Sequence, residues 1–188
     1  MFLVFGLGNP GKEYVDTRHN VGFQVIDAIG SSFRIPIKQY ACKSVFGRLK
    51  RQNDEEIILL KPQTFMNLSG EAVAECLIKF KGTLDKTLII HDDIDLPFGT
   101  LRLKNGGGSG GQKGIKSIIE RVGTGEFYRL KIGIGRPSSA SDVIDYVLEK
   151  FNCSERKDFP VVIQEAILTV LDFVDSGFHF AANRHNES

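Results

Sequence analysis

The chain has 188 residues, of which 41% are hydrophobic and 25% are charged, and its formal net charge at pH 7 is +1. This composition is typical of one globular domain and excludes collagen, coiled-coil and low-complexity proteins. The longest apolar runs are far shorter than the roughly 20 residues of a membrane-spanning helix, and the N-terminus lacks the basic segment of a signal peptide. We therefore expect a cytoplasmic protein that does not bind membranes.

Apolar runs separated by turn residues predict alternating strands and helices. A first strand, residues 2–7, ends at a Gly-Asn-Pro-Gly turn, and a helix capped by Asn20 runs to about Ser32. The other predicted strands are 43–51, 55–61, 87–90, 100–104 and 128–135, and the other predicted helices are 67–79, 113–122, 141–151 and one from Ser154 to about Asp175. We expect strands 43–51 and 55–61 to form a hairpin around Asn53-Asp54.

The mixed order of strands and helices predicts the fold class. We expect a single α/β domain over residues 1–188, with a mixed, largely parallel, twisted sheet covered by helices on both faces. The uniformly apolar strand 87–90 supports this arrangement, because such a strand suits burial on both faces.

Polar clusters follow three of the predicted strands. In an open α/β sheet, ligands bind at the carboxyl ends of the strands, so we expect these clusters to converge on one cleft. The clusters contain Asn9, Tyr14 and His19 after the first strand, Asn67 after strand 55–61, and Asp92 and Asp93 after strand 87–90.

This set of side chains predicts a hydrolytic site. His19 is the expected base, Asp92 or Asp93 would fix its tautomer, and Asn9 and Asn67 would hold a carbonyl group. Neither serine nor cysteine is placed with the histidine, so water is the expected attacker. In this hypothesis Asn67 or Asn9 donates hydrogen bonds to the oxyanion.

Nucleotide-binding patterns also follow the first strand. Residues 6–11 fit G-x-G-x-x-G, but no acidic residue ends a second strand roughly 20 positions on. With Lys12 the segment mimics a P-loop, but Glu13 stands where Ser or Thr holds magnesium. We keep a P-loop-like nucleotide hydrolase as an alternative function.

Metal sites find little support in the sequence. The three cysteines are far apart and form no CxxC pair, which argues against a disulfide framework or a zinc site. Asp92, Asp93 and Asp95 offer the oxygen ligands of magnesium, but side chains that alternate along a strand point to opposite sides. We expect no metal and no cofactor.

Charge is distributed unevenly along the chain. Residues 100–136 contain eight basic and two acidic side chains, whereas residues 137–188 contain four basic and nine acidic ones. Such a dipolar surface can steer a phosphate-rich ligand to one face. A non-enzymatic RNA-binding module is therefore a second alternative.

Four segments resemble, in order and spacing, the bacterial-type peptidyl-tRNA hydrolases. They are GLGNPGKEYVDTRHNVGF (6–23), LLKPQTFMNLSGEAV (59–73), HDDIDLPFGTLRLKNGGGSGGQKG (91–114) and YRLKIGIGRP (128–137). The resemblance implies an enzyme that hydrolyses the ester bond between a peptide and the 3′ ribose of tRNA, releasing both for reuse in translation. It also implies a single α/β domain that acts as a monomer without metal or cofactor.

The resemblance further implies roles for individual residues. It assigns His19 and Asp92 as the catalytic pair and Asn9 and Asn67 as residues that hold the substrate. The expected substrate contacts are Tyr14, Met66, Phe65 and Lys113, and the expected tRNA phosphate contacts are Lys104, Lys131, Lys113 and Lys116.

The chain departs from this family after its glycine-rich loop. The family commonly reads Gly-Gly-His-Asn-Gly there, whereas this chain reads Gly-Gly-Gln112-Lys113-Gly. Lys113 thus replaces an asparagine that is usually credited with positioning water or substrate. Three roles stay open for Lys113: it stabilises the oxyanion, contacts RNA phosphate or faces solvent.

Overall fold

The computed structural model describes residues 1–51, 55–137 and 142–186. The strands are β1 (Phe2–Gly6), β2 (Gln39–Ala41), β3 (Ser44–Lys50), β4 (Glu56–Pro62), β5 (Thr87–Asp93), β6 (Leu101–Asn105) and β7 (Tyr128–Gly133). The helices are α1 (Val21–Ser32), α2 (Ser69–Lys79), α3 (Lys113–Val122), α4 (Val143–Leu148), α5 (Cys153–Ser176) and α6 (Phe178–His185). Within these ranges, no helix combines the length and apolar character needed to cross a bilayer.

The seven strands found in the described ranges belong to one sheet, in the order β2-β3-β4-β1-β5-β7-β6. The four central strands, β4, β1, β5 and β7, are parallel, and the outer strands β3, β2 and β6 are antiparallel to their neighbours. The prediction of one α/β domain with a mixed sheet is confirmed.

Helices cover both faces of the sheet, as predicted. Val4 and Ile90 pack into a core with α1, α5 and α6, whereas Phe5 and Ile89 pack into a second core with α2 and α3. Adjacent strand residues contribute to different cores because their side chains point to opposite faces. This double burial explains the uniformly apolar central strands.

Gly6 of β1 and Gly22 of α1 allow the helix to pack closely against the sheet. A Cβ atom at Gly6 would overlap the backbone of Gly22, and one at Gly22 would overlap the backbone of Leu7. The N-terminus of α1 therefore lies directly on the carboxyl end of β1. The short 3-10 helix Arg18–Asn20, which precedes α1, is held at the same edge.

Of the two predicted helix caps, the one at Ser154 is wrong, whereas Asn20 occupies the predicted N-cap position of α1 without making a side-chain capping bond. Asn152, rather than Ser154, caps α5: its side chain accepts hydrogen bonds from the backbone nitrogens of Ser154 and Glu155, and Glu155 completes a capping box. Asn20 precedes α1, but its side chain bonds the backbone of Asn9 instead of capping the helix.

Several boundaries also differ from the prediction. Strand β5 continues to Asp93, because its polar residues still pair through the backbone with β7. Helix α4 spans only Val143–Leu148, and strand β7 ends at Gly133. The predicted turn Asn53-Asp54 and the predicted helix start at Ser141 lie outside the described residues.

Candidate active site

The carboxyl ends of β1, β4 and β5 open into one cleft of about 820 Å³. Its walls come from the loops after these strands, the glycine-rich loop before α3, and the helices α3 and α4. Of the residues predicted from sequence, those that line it are Asn9, His19, Phe65, Met66, Asn67, Asp92, Asp93, Lys113 and Lys116.

His19 and Asp92 are in direct contact in this cleft. The distance between His19 Nδ1 and Asp92 Oδ2 is 2.7 Å, and the Asp92 side chain is only 3% exposed. Burial opposes the charged form of Asp92, but contact with His19 and Gln112 holds the pKa of this carboxyl below its ordinary value. A charged Asp92 accepts the proton on Nδ1, which leaves Nε2 of His19 as the nitrogen that can take a proton.

One end of the Asn9 side-chain amide is hydrogen-bonded within the protein. Its Oδ1 accepts a hydrogen bond from the backbone nitrogen of Met66 at 2.7 Å. Its backbone exchanges two hydrogen bonds with the Asn20 side chain, at 2.8 and 2.9 Å. Among the described residues Nδ2 of Asn9 has no acceptor, so it can donate to a carbonyl group in the cleft.

The segment between β4 and α2 supplies the opposite wall. Met66 is buried, whereas Asn67 is exposed in the short 3-10 helix Met66–Leu68 and Phe65 is 55% exposed at the rim. The Asn67 side chain has no hydrogen-bond partner within the described ranges. Asn67 is thus free to adjust to a ligand, unlike the anchored Asn9.

Gln112 belongs to the site, although its sequence context predicts no role for it. Its Nε2 donates a hydrogen bond to Asp92 Oδ1 at 2.9 Å, and its Oε1 accepts one from the backbone nitrogen of Ile115 at 2.8 Å. The second contact makes Gln112 the N-cap of α3. The position of Gln112 directly before a predicted helix was the sequence feature that could have indicated this N-cap role.

A second histidine, His91, also lines the cleft. It is 2% exposed, and burial lowers its pKa to about 4, so it is neutral at pH 7. Its Nδ1 lies 2.7 Å from the carbonyl oxygen of Asp92 and donates to it. Among the described residues, no carboxylate contacts the ring nitrogens of His91, which distinguishes it from His19.

Three predicted site residues lie outside the cleft lining. Tyr14 is in the 3-10 helix Lys12–Tyr14 after β1, and Lys131 on β7 forms an ion pair with Asp93. Lys104 is exposed on β6. In the antiparallel register of β6 and β7, Lys104 lies opposite Arg129 and Arg102 lies opposite Lys131. These four basic residues therefore lie on one face of the two strands.

The chain matches the family model of peptidyl-tRNA hydrolase over residues 3–188. It belongs to the peptidyl-tRNA hydrolase family. A peptidyl-tRNA hydrolase of Brevibacillus brevis is 49% identical over 172 residues, covering 92% of this chain and 88% of the relative. One of Dehalococcoides mccartyi is 45% identical over 189 residues, covering 99% and 100%. The crystal structure of the peptidyl-tRNA hydrolase from Acinetobacter baumannii matches with a TM-score of 0.92 and 34% identity, covering 100% of this chain and 95% of that one. The family resemblance is confirmed.

The alternatives from the sequence gain no support. The three aspartates considered as magnesium ligands contact three different residues. Asp92 contacts His19, Asp93 contacts Lys131 and Asp95 contacts Arg136. In the described part of the chain, no three acidic, histidine or cysteine side chains are grouped to hold a metal ion. Lys12 begins a 3-10 helix, and α1 starts nine residues later at Val21. A P-loop instead needs its helix to open directly at the lysine.

Proposed function

We propose that this chain hydrolyses the ester bond between a peptide and the 3′ ribose of tRNA, using a water molecule that His19 activates. Membership of the peptidyl-tRNA hydrolase family supports the substrate class. The observation that carries the mechanism is the 2.7 Å contact between His19 and Asp92 in the cleft.

In this mechanism Asp92 holds the proton on Nδ1 of His19, and Nε2 takes a proton from the attacking water. The water oxygen bonds to the ester carbonyl carbon, and the bond from that carbon to the ribose oxygen then breaks. His19 returns its proton to the departing ribose oxygen, which regenerates the base. A positioned base of this kind contributes roughly 10²–10⁴-fold in rate.

We assign the oxyanion contact to Asn9. Its amide is oriented before substrate binds, because Met66 holds Oδ1 and leaves Nδ2 toward the cleft. A preorganised donor needs no rearrangement as charge develops, and one such donor contributes about 10²–10³-fold. Asn67, which is exposed and unanchored, suits a carbonyl of the peptide.

The basic side chains near the cleft suit the tRNA. Lys113 and Lys116 line the cleft on α3, and Lys104 and Arg102 are exposed on β6. Contacts of such side chains with phosphates weaken with salt because bound counterions are released. We assign Lys113 to a phosphate near the 3′ end.

All side chains in this proposal belong to one chain, so we propose that the monomer is active. We also propose that the reaction takes place in the cytoplasm, where translation supplies its substrate.

The test measures peptide release from an N-blocked aminoacyl-tRNA by the purified protein. We expect His19→Ala to lower kcat roughly 10²–10⁴-fold while tRNA binding persists. His179→Ala is the matched control, because His179 is exposed on α6. Full activity in His19→Ala would refute the base, and tRNA binding without turnover by the unaltered chain would favour an RNA-binding module.

A further inference from the structure

We propose that Gln112 is a positioning residue: it holds the Asp92 carboxylate in the orientation that His19 needs and joins this pair to helix α3. The proposal rests on the hydrolytic function proposed above. It assigns a role to a residue for which the sequence predicted none.

The orientation of the Gln112 amide follows from its partners. The backbone nitrogen of Ile115 can only donate, so the atom that faces it at 2.8 Å is Oε1. The other end, 2.9 Å from Asp92 Oδ1, is therefore Nε2, which donates. A flipped amide would place two donors together and Oε1 against a carboxylate.

The two oxygens of Asp92 thus have separate partners. Oδ2 contacts His19 and Oδ1 accepts from Gln112, in a side chain that is 3% exposed. A buried carboxylate that loses a donor must rotate or admit water. Either change alters the contact that fixes the tautomer of His19.

Gln112 also transmits the position of α3 to the catalytic pair. Its backbone follows Gly110 and Gly111, which have φ values of 58° and 84°, and its side chain caps the helix. At the start of the same loop, Arg129 donates to the carbonyl oxygen of Gly108 at 2.6 Å. The loop is therefore anchored at both ends, and the anchor at its carboxyl end is Gln112.

A neutral amide keeps this contact independent of pH. The titratable or charged groups around it are His19, the neutral His91, Asp93 paired with Lys131, and Lys113, Lys116 and Glu120 of α3. A histidine in place of Gln112 would itself titrate near neutral pH. With glutamine, the donor to Asp92 does not titrate.

Two variants separate the hydrogen bond from the helix cap. Gln112→Ser keeps a side chain favoured at an N-cap but is too short to reach Asp92. Gln112→Glu keeps an acceptor for Ile115, removes the donor and adds a negative charge beside Asp92. The exposed Gln164 of α5 provides the matched control, Gln164→Glu.

We expect Gln112→Ser to lower kcat about tenfold with KM and melting temperature near those of the unaltered chain. In Gln112→Glu the added charge favours protonated His19, so the acid limb of the pH profile of kcat/KM should move upward by about one unit. Gln164→Glu should change neither kcat nor the acid limb of the pH profile.

An NMR titration of the His19 ring distinguishes this proposal from the proposed function. If the chain does not hydrolyse peptidyl-tRNA, the proposed function fails, but Gln112→Glu still raises the His19 midpoint. An unchanged midpoint and an unchanged kcat in both Gln112 variants would overturn the positioning role. If Gln112→Glu does not fold, the kcat of Gln112→Ser tests the proposal by itself: a kcat equal to that of the unaltered chain would overturn the positioning role.

Discussion

Lys131 on β7 forms an ion pair with Asp93 on the neighbouring parallel strand β5. The side chains are 24% and 9% exposed, so the pair is largely withdrawn from solvent. On the same face of the sheet, Lys104 and Arg102 are exposed and have no acidic partner among the described residues. We therefore expect β6 to supply more of the charge for tRNA phosphates than Lys131 does.

This relationship predicts different effects for two lysines. Lys104→Ala should raise KM for peptidyl-tRNA several-fold and reduce the salt slope of binding by about 1, because one phosphate contact is lost. Lys131→Ala should mainly lower the melting temperature, because it leaves Asp93 without its cation. Steady-state kinetics at several salt concentrations and thermal unfolding separate the two. Equal effects of Lys104→Ala on a minimal N-blocked aminoacyl ester would remove Lys104 from the tRNA site.

A second prediction concerns Asp92, the carboxylate of the proposed catalytic pair. Asp92→Asn keeps the size of the side chain but can present a donor to Nδ1 of His19, which favours the wrong tautomer. We expect kcat to fall about 10²–10⁴-fold with KM little changed, measured at the pH optimum of the unaltered chain. Asp95→Asn, at an exposed residue paired with Arg136, is the control. A kcat within twofold of the unaltered chain would exclude Asp92 from the mechanism.

A third prediction concerns acid stability. His91 has a pKa of about 4 in the folded chain against an ordinary value of 6.5, because burial disfavours its charged form. Between these pH values the unfolded chain binds the proton more strongly, so stability falls as pH drops from about 6.5 toward 4 and does not change through this group above that range. The shift corresponds to about 3 kcal/mol.

Urea unfolding of the unaltered chain and of His91→Asn, at several pH values, isolates this contribution. Subtracting the two curves cancels the titration of the other histidines and of the carboxylates. The difference in the free energy of unfolding should decrease with falling pH. A flat difference between pH 7 and 4.5 would show that His91 is not held neutral.

A fourth prediction concerns the residue before His19. The Arg18 guanidinium, 5% exposed in its side chain, lies 2.9 Å from Glu155 and 4.2 Å from the centre of the Tyr146 ring. Glu155 also closes the capping box of α5, so Arg18 ties the turn of His19 to α4 and α5. Arg18→Ala should lower the free energy of unfolding by about 3 kcal/mol, since it leaves Glu155 unpaired.

The control for this prediction is Arg136→Ala, which removes an exposed cation that pairs with the exposed Asp95. Exposed pairs contribute about 0–1 kcal/mol, so we expect little change in urea unfolding. Equal losses in both variants would contradict a special role for the buried Arg18.

Local patterns predicted the central elements of this fold and missed those at its margins. Strands β1, β4 and β5 carry unbroken apolar runs because both of their faces are covered. Strand β2 was missed because its turn to β3 is Cys42-Lys43, with φ values of 51° and 54°, and not the usual asparagine and glycine. Helix α6 was missed because it is short and follows directly on Gly177 at the end of α5.

The sequence by itself determined the fold class, the family and the expectation that polar residues at three strand ends meet, since parallel strands bring their carboxyl ends to one edge. Only the tertiary structure decided which partner each side chain has: Asp92 rather than Asp93 meets His19, Lys131 meets Asp93, and Gln112 meets Asp92. A hydrogen bond or ion pair joins atoms about 3 Å apart on residues that are distant in the sequence. Apolar periodicity predicts secondary structure and does not predict which of these residues come into contact.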